Sequence, residues 1–184
     1  RYCDTEFERS EPMPIQDIAS EINRLLRAGC GGAGLGATDL IVLTGGEPLR
    51  QQIIPLLRLL DDQGLHTQIE TAGTVWPTPI NAEDEEFPLE ELIDIEAVDL
   101  VCSPKTKALH PKIINHCNHF KYIIREGETG SMDGLPVMST QFEGRRSELF
   151  RPDDPSVTIW VQPCYEYQEG GVAPNLARNQ RNAD

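Results

Sequence analysis

Apolar positions along the chain change period several times, and each change marks an element. Ile15, Ile18, Ile22, Leu25 and Leu26 recur at helical spacing behind Pro14, whose fixed φ suits a first turn, so a helix is predicted from Pro14 to Leu26. The stretch GCGGAGLGA ends it. Asp39-Leu40-Ile41-Val42-Leu43 reads as a buried strand running into Thr44-Gly45-Gly46-Glu47-Pro48. An apolar stripe from Leu49 to Leu60 predicts a second helix, broken by Gly64. His66 to Glu70 reads as a short strand, followed by Thr71-Ala72-Gly73-Thr74. Val98–Cys102, Phe120–Ile124 and Val157–Val161 are the third, fourth and fifth strands, with a short helix over Pro111–Cys117. A further helix begins after Asn175, whereas Gly130 to Arg146 has no readable period.

Strand alternating with helix argues for parallel pairing in an α/β fold. Such folds bind ligands at the carboxyl ends of their strands. Four polar clusters follow strand ends here: Thr44-Gly45-Gly46-Glu47, Glu70-Thr71, Ser103-Pro104-Lys105 and Gln162-Pro163. They are expected to share a pocket.

Composition narrows the classes. The 184 residues amount to one domain, 39% hydrophobic and 25% charged. No apolar run approaches the roughly 18 residues of a membrane span. A formal net charge of -14 repels polyanions and argues against a grip on nucleic acid. Five cysteines at irregular spacings, with no C-x-x-C pair, support neither a zinc ribbon nor a disulfide framework. A reducing cytoplasm is the expected setting, with most thiols acting as small buried hydrophobes. Asn81 to Glu96 is dense in Glu and Asp; its first part reads as an exposed insert and the rest as an amphipathic helical turn.

Individual motifs carry different weight. Gly29-Cys30-Gly31-Gly32-Ala33-Gly34 fits G-x-G-x-x-G in form, but it follows a helix and precedes a strand, the reverse of a dinucleotide site, and reads as a connection. Gly45-Gly46-Glu47-Pro48 is either a tight strand-to-helix turn or a place where backbone approaches a ligand closely, with Glu47 facing an ammonium group. Lys105 after Pro104 is a solvated charge or a cation for a carboxylate or ribose-bearing ligand. His110, His116, His119 and Cys117 lack a recognised ligand spacing and are read as surface or partly buried side chains.

Taken together, Tyr2-Cys3-Asp4-Thr5, Leu43 to Pro48, Glu70 to Thr74, Ser103-Pro104-Lys105 and Gln162-Pro163 resemble a radical S-adenosylmethionine enzyme. The full set, in this order along nearly the whole chain, is similar to the 7-carboxy-7-deazaguanine synthases of the queuosine pathway. The resemblance implies a single radical S-adenosylmethionine domain over residues 1–184, incomplete, with an acidic insert at about 81–96. Its fold would be α/β, a partial open parallel (β/α) barrel. It implies a lyase that turns 6-carboxy-5,6,7,8-tetrahydropterin into 7-carboxy-7-deazaguanine with loss of ammonia. Cys3 would be the last of three cysteines on a [4Fe–4S] cluster, the other two lying upstream of this sequence; three thiolates leave one iron open for S-adenosylmethionine. Tyr2 would lie near the adenine. Gly45, Gly46 and Glu47 would meet the methionine end of the cofactor, Ser103, Pro104 and Lys105 would help hold it, and Gln162, Pro163, Cys164 and Tyr165 would line the adenosine side. Thr5 would ligate Mg²⁺ beside the substrate, and Thr44 would hydrogen-bond the pterin. The implied partners are an external, flavodoxin-like electron donor and a second copy of the chain in a homodimer. Two rival readings are a glycyl-radical activase of the same superfamily, and a non-catalytic barrel that binds a nucleoside-like ligand or a protein.

Overall fold

The structure is a computed structural model and describes residues 11–29, 39–79, 88–117, 119–128, 132–139, 147–165 and 176–183. Tyr2, Cys3, Thr5, most of the glycine-rich stretch and the first part of the acidic insert lie outside them. The described elements are α1 (Ile15–Gly29), β1 (Leu40–Leu43), a 3-10 turn (Pro48–Arg50), α2 (Ile54–Asp61) and β2 (His66–Thr71). They continue with α3 (Leu89–Asp94), β3 (Val98–Cys102), α4 (Pro111–His116), β4 (His119–Ile124), β5 (Thr158–Pro163) and α5 (Leu176–Ala183).

The strands are hydrogen-bonded neighbours in the order β1-β2-β3-β4-β5. The β1–β2, β3–β4 and β4–β5 pairs are parallel. Strands follow one another in chain order, with helices between them from β1 to β4, the β/α succession of a parallel α/β fold; a doubly wound sheet reverses its order. The described residues fall into two compact units, 11–70 with 77–100, and 71–76 with 101–183.

In the first unit α2 buries Ile54, Leu56, Leu57 and Leu60, and β2 alternates half-buried His66, Gln68 and Glu70 with buried Thr67 and Ile69. This period of two gives the strand one buried face, of Thr67, Ile69 and Thr71, and one half-exposed polar face. The predicted helix from Leu49 to Leu60 is two pieces. Pro55 lacks an N–H and its ring would clash with the carbonyl of Gln51, so α2 starts at Ile54 after a separate 3-10 turn. β1 is also less buried than its apolar sequence implies: Leu40 and Val42 are exposed, because it is the end strand in the order and only its Ile41/Leu43 face is partly covered.

In the second unit Cys102 pairs with Phe120 in register, and Tyr122 lies two residues on, so these buried side chains share a face with α4. The opposite face carries His119, Lys121 and Ile123, and by register Trp160 and Gln162 of β5. His119 and Trp160 stack there at 4.7 Å. β5 runs two residues further than predicted, through Gln162 and Pro163, with Pro163 opposite Ile124. A proline fits there because, among the described strands, β5 is the last in the order and no further ladder needs its N–H.

Candidate functional site

The first unit contributes the turn after β1. Thr44, Gly45 and Gly46 are all exposed, while Pro48 and Leu49 are buried, so the chain dips into the core immediately beyond the turn. Gly45 has φ +111°, a conformation that L side chains rarely adopt, and a Cβ added there would meet nothing within 4 Å. The glycine therefore serves the backbone path, and no described residue crowds the position beside it. Glu47 caps the 3-10 turn: its Oε1 accepts the Leu49 N–H at 3.3 Å. Part of the carboxylate predicted to face a ligand ammonium thus holds the local turn.

The second unit contributes the ends of β2, β3, β4 and β5. Thr71 is buried, and its Oγ1 accepts the Gly73 N–H at 3.0 Å, closing a short turn. Its carbonyl accepts the Ser103 N–H at 2.8 Å. Gly73 has φ +79°, and its Cα hydrogen packs against the Cys102 side chain. Cys102 in turn hydrogen-bonds Cys117, which holds the Cys117 thiol below its ordinary range against the upward push of burial. Cys117 also donates to the His119 carbonyl at 3.1 Å.

After β3, Ser103 Oγ donates to the Lys121 carbonyl at 3.1 Å, and Lys105 Nζ donates to Ser103 Oγ at 3.0 Å. Pro104 is buried between them in sequence. This fixes an ammonium at the strand end, a cation suited to a carboxylate, with the Ser103 hydroxyl spent on orienting it. Gln162, Pro163 and Tyr165 are exposed at the end of β5, whereas Cys164 is buried and donates its N–H to the Ile124 carbonyl at 2.7 Å. Each predicted cluster therefore sits at the carboxyl end of its own strand.

Sequence reading did not single out Ser139 or Lys121, which line one small recess with Ser103, Pro104 and Lys105. Nothing in the local pattern marks Ser139, since its segment has no period. The histidines fall as expected: His110 and His116 flank Trp76, with ring centroids at 6.3 and 5.9 Å, and Lys112 lies 5.6 Å from the same ring. Among the described residues no group of three or more His, Cys, Asp or Glu side chains is arranged to hold a metal ion. No helix among them is long and apolar enough to cross a membrane.

No protein-family model matches the chain. It is 41% identical over 163 residues to the 7-carboxy-7-deazaguanine synthase of Rhodospirillum rubrum, covering 88% of this chain and 60% of that protein. It is 36% identical over 104 residues to the protein of that name from Rickettsia prowazekii, covering 56% of this chain and 37% of the relative. For the one from Aquifex aeolicus the figures are 35% over 88 residues, 46% of this chain and 35% of the relative. The chain thus spans less than two thirds of the length of the curated relatives it matches. Among solved structures, QueE from Escherichia coli is similar at a TM-score of 0.41 and 24% identity, over 62% of this chain and 42% of that one.

Proposed function

From kinship with the 7-carboxy-7-deazaguanine synthases, we propose that the full-length protein converts 6-carboxy-5,6,7,8-tetrahydropterin to 7-carboxy-7-deazaguanine with loss of ammonia, as a carbon–nitrogen lyase. The observation that carries this reading is the 41% identity over 163 residues. The separate turns after parallel strands support it, because that edge is where α/β folds gather ligands.

The proposed cofactor is a sulfonium nucleoside with an amino-acid end, and features within each unit support that reading. In the first unit Thr44 to Gly46 are exposed and no described side chain crowds Gly45; in the second, Lys105, oriented by Ser103, offers a cation to a carboxylate. In the proposed complex the backbone at Gly45 and Gly46 meets the amino-acid end, and Glu47 keeps the turn in shape through its cap on Leu49. Lys105 holds the negative end, and Ser103 orients Lys105. Gln162, Pro163 and Tyr165, exposed at the end of β5, border the adenosine side, and buried Cys164 anchors that end to β4. Thr44 presents its hydroxyl to the pterin. Cys3 as a cluster thiolate, Tyr2 beside the adenine and Thr5 as a Mg²⁺ ligand belong to the same reading and lie outside the described residues. When bound, the [4Fe–4S] cluster with S-adenosylmethionine supplies the one-electron chemistry that begins hydrogen abstraction, and the protein supplies binding and orientation. A flavodoxin-like donor, a homodimer and a cytoplasmic setting complete the proposal.

The test is anaerobic purification of the full-length protein, reconstitution with iron and sulfide, and reduction in the presence of S-adenosylmethionine. The expected result is a brown protein that releases 5′-deoxyadenosine. A colourless protein that leaves the sulfonium intact refutes the reading.

A further inference from the structure

The connection between β4 and β5 holds a buried hydroxyl in a fixed place. Val137 to Ser139 run antiparallel to Ser147 to Leu149. The Ser139 N–H donates to the Ser147 carbonyl at 2.7 Å, the Leu149 N–H donates to the Val137 carbonyl at 2.9 Å, and Met138 pairs with Glu148. This small ladder is tied to the sheet. The Phe150 N–H donates to the Thr106 carbonyl at 3.0 Å, and the Tyr122 hydroxyl donates to the Phe150 carbonyl at 2.7 Å. Arg151 adds a third tie, lying 4.7 Å from the Tyr122 ring while donating to the Pro136 carbonyl and to Asp133.

Ser139 is therefore held by its backbone, and its side chain is enclosed. The residue is 3% exposed, and among the described residues its Oγ has no hydrogen-bond partner. A buried hydroxyl without a partner is costly, and folded proteins keep few of them. This one lines the recess that also takes in Ser103, Pro104, Lys105, Lys121, Tyr122, Ile123 and Leu149. In that recess the Lys105 ammonium donates to Ser103 Oγ, so a cation is already oriented there. The recess has room for about one water-sized atom. A cation, a hydroxyl donor and single-atom space in a recess of mixed polar and apolar lining match one oxygen of a carboxylate.

We propose that Ser139 is a ligand-positioning residue, whose hydroxyl joins the Ser103–Lys105 pair in holding a carboxylate at the ends of β3 and β4. The inference rests on the functional reading above, in which both the cofactor and the pterin carry a carboxylate, and it assigns a role to a segment that reading leaves unused.

The test uses the full-length protein, reconstituted anaerobically, as wild type and as Ser139→Ala. Calorimetry measures binding of S-adenosylmethionine alone, and then of 6-carboxytetrahydropterin to the cofactor-loaded protein; thermal unfolding is followed without either ligand. The expected result is a loss of roughly tenfold or more in affinity for one carboxylate ligand, the size of a lost charge-assisted hydrogen bond. The ligand-free melting temperature should be unchanged or higher, because an unsatisfied hydroxyl has been removed. A loss confined to S-adenosylmethionine assigns the cofactor's carboxylate, and a loss confined to the pterin assigns the substrate's. Affinities within about twofold of wild type for both overturn the proposal, as does a variant whose only change is a lower ligand-free melting temperature, the mark of a hydroxyl serving a bridging water. Wild-type protein that binds neither ligand overturns the functional reading itself, and with it this inference.

Discussion

Gly73 is the position where one methyl group should cost most. Its φ of +79° belongs to the left-handed region, and a Cβ there would lie 2.5 Å from Cys102 Sγ, 3.0 Å from Leu109 Cδ2 and 3.4 Å from Ile113 Cγ2. Cys102 and Ile113 are fully buried, so neither can yield by swinging into solvent. The left-handed backbone costs about 1–2 kcal/mol for a residue with a Cβ, and crowding a packed core costs about 1–3 kcal/mol. Gly73→Ala should therefore lose roughly 2–5 kcal/mol of stability. In a chain of this size each kcal/mol moves the melting temperature by about 2–4 °C. Urea unfolding of the full-length protein measures the loss. The double variant Gly73→Ala/Cys102→Ala should lose less than the two single changes together, since removing Sγ clears the closest contact and leaves the backbone strain. A Gly73→Ala protein within about 0.5 kcal/mol of wild type would refute the reasoning.

Gly45→Ala has φ +111° and nothing within 4 Å, so it should carry only the backbone cost, about 1–3 kcal/mol, while weakening S-adenosylmethionine binding more than Gly73→Ala does; calorimetry on the two variants checks the order. Tyr122→Phe should lose about 1 kcal/mol with the hydrogen bond to Phe150. Burial raises the Tyr122 phenol above its ordinary value, with Arg151 opposing, so this contribution is complete below about pH 10 and is lost as pH rises through the folded pKa. Unfolding curves at increasing alkalinity should accordingly fall more steeply for wild type than for the variant. Arg181→Ala breaks a half-exposed ion pair with Glu126 at 2.6 Å and should cost less than about 1 kcal/mol, a difference that molar salt erases in the same melts.

The strand ends were legible because each parallel strand is a short apolar run that stops at a polar cluster. That rule located Thr44 to Glu47 after β1, Ser103 to Lys105 after β3 and Gln162 after the apolar run of β5. The buried state of Cys102, Cys117 and Cys164 followed from cysteine's behaviour as a small hydrophobe. Periodicity failed where a single residue overrides it: Pro55 splits the stripe from Leu49 to Leu60, although the apolar spacing continues across it. It failed again at β1, where an apolar sequence does not reveal that the strand stands at the end of the order with Leu40 and Val42 uncovered. Ser139 was out of reach for a different reason. Its importance comes from hydrogen bonds it lacks, and from a recess assembled by β3, β4 and a segment without period.

The central claim, proposed above, is that the full-length protein uses a sulfonium cofactor to act on a tetrahydropterin, with Lys105 after β3 holding a carboxylate. Its most direct test is incubation of reduced, reconstituted full-length protein with S-adenosylmethionine and 6-carboxy-5,6,7,8-tetrahydropterin, with ammonia assayed and the deazapurine product identified by mass. The account predicts one ammonia for each 7-carboxy-7-deazaguanine formed, and loss of both in Lys105→Ala. Cofactor cleavage that installs a radical on a protein glycine, or a protein that binds the nucleoside and turns over nothing, would contradict it.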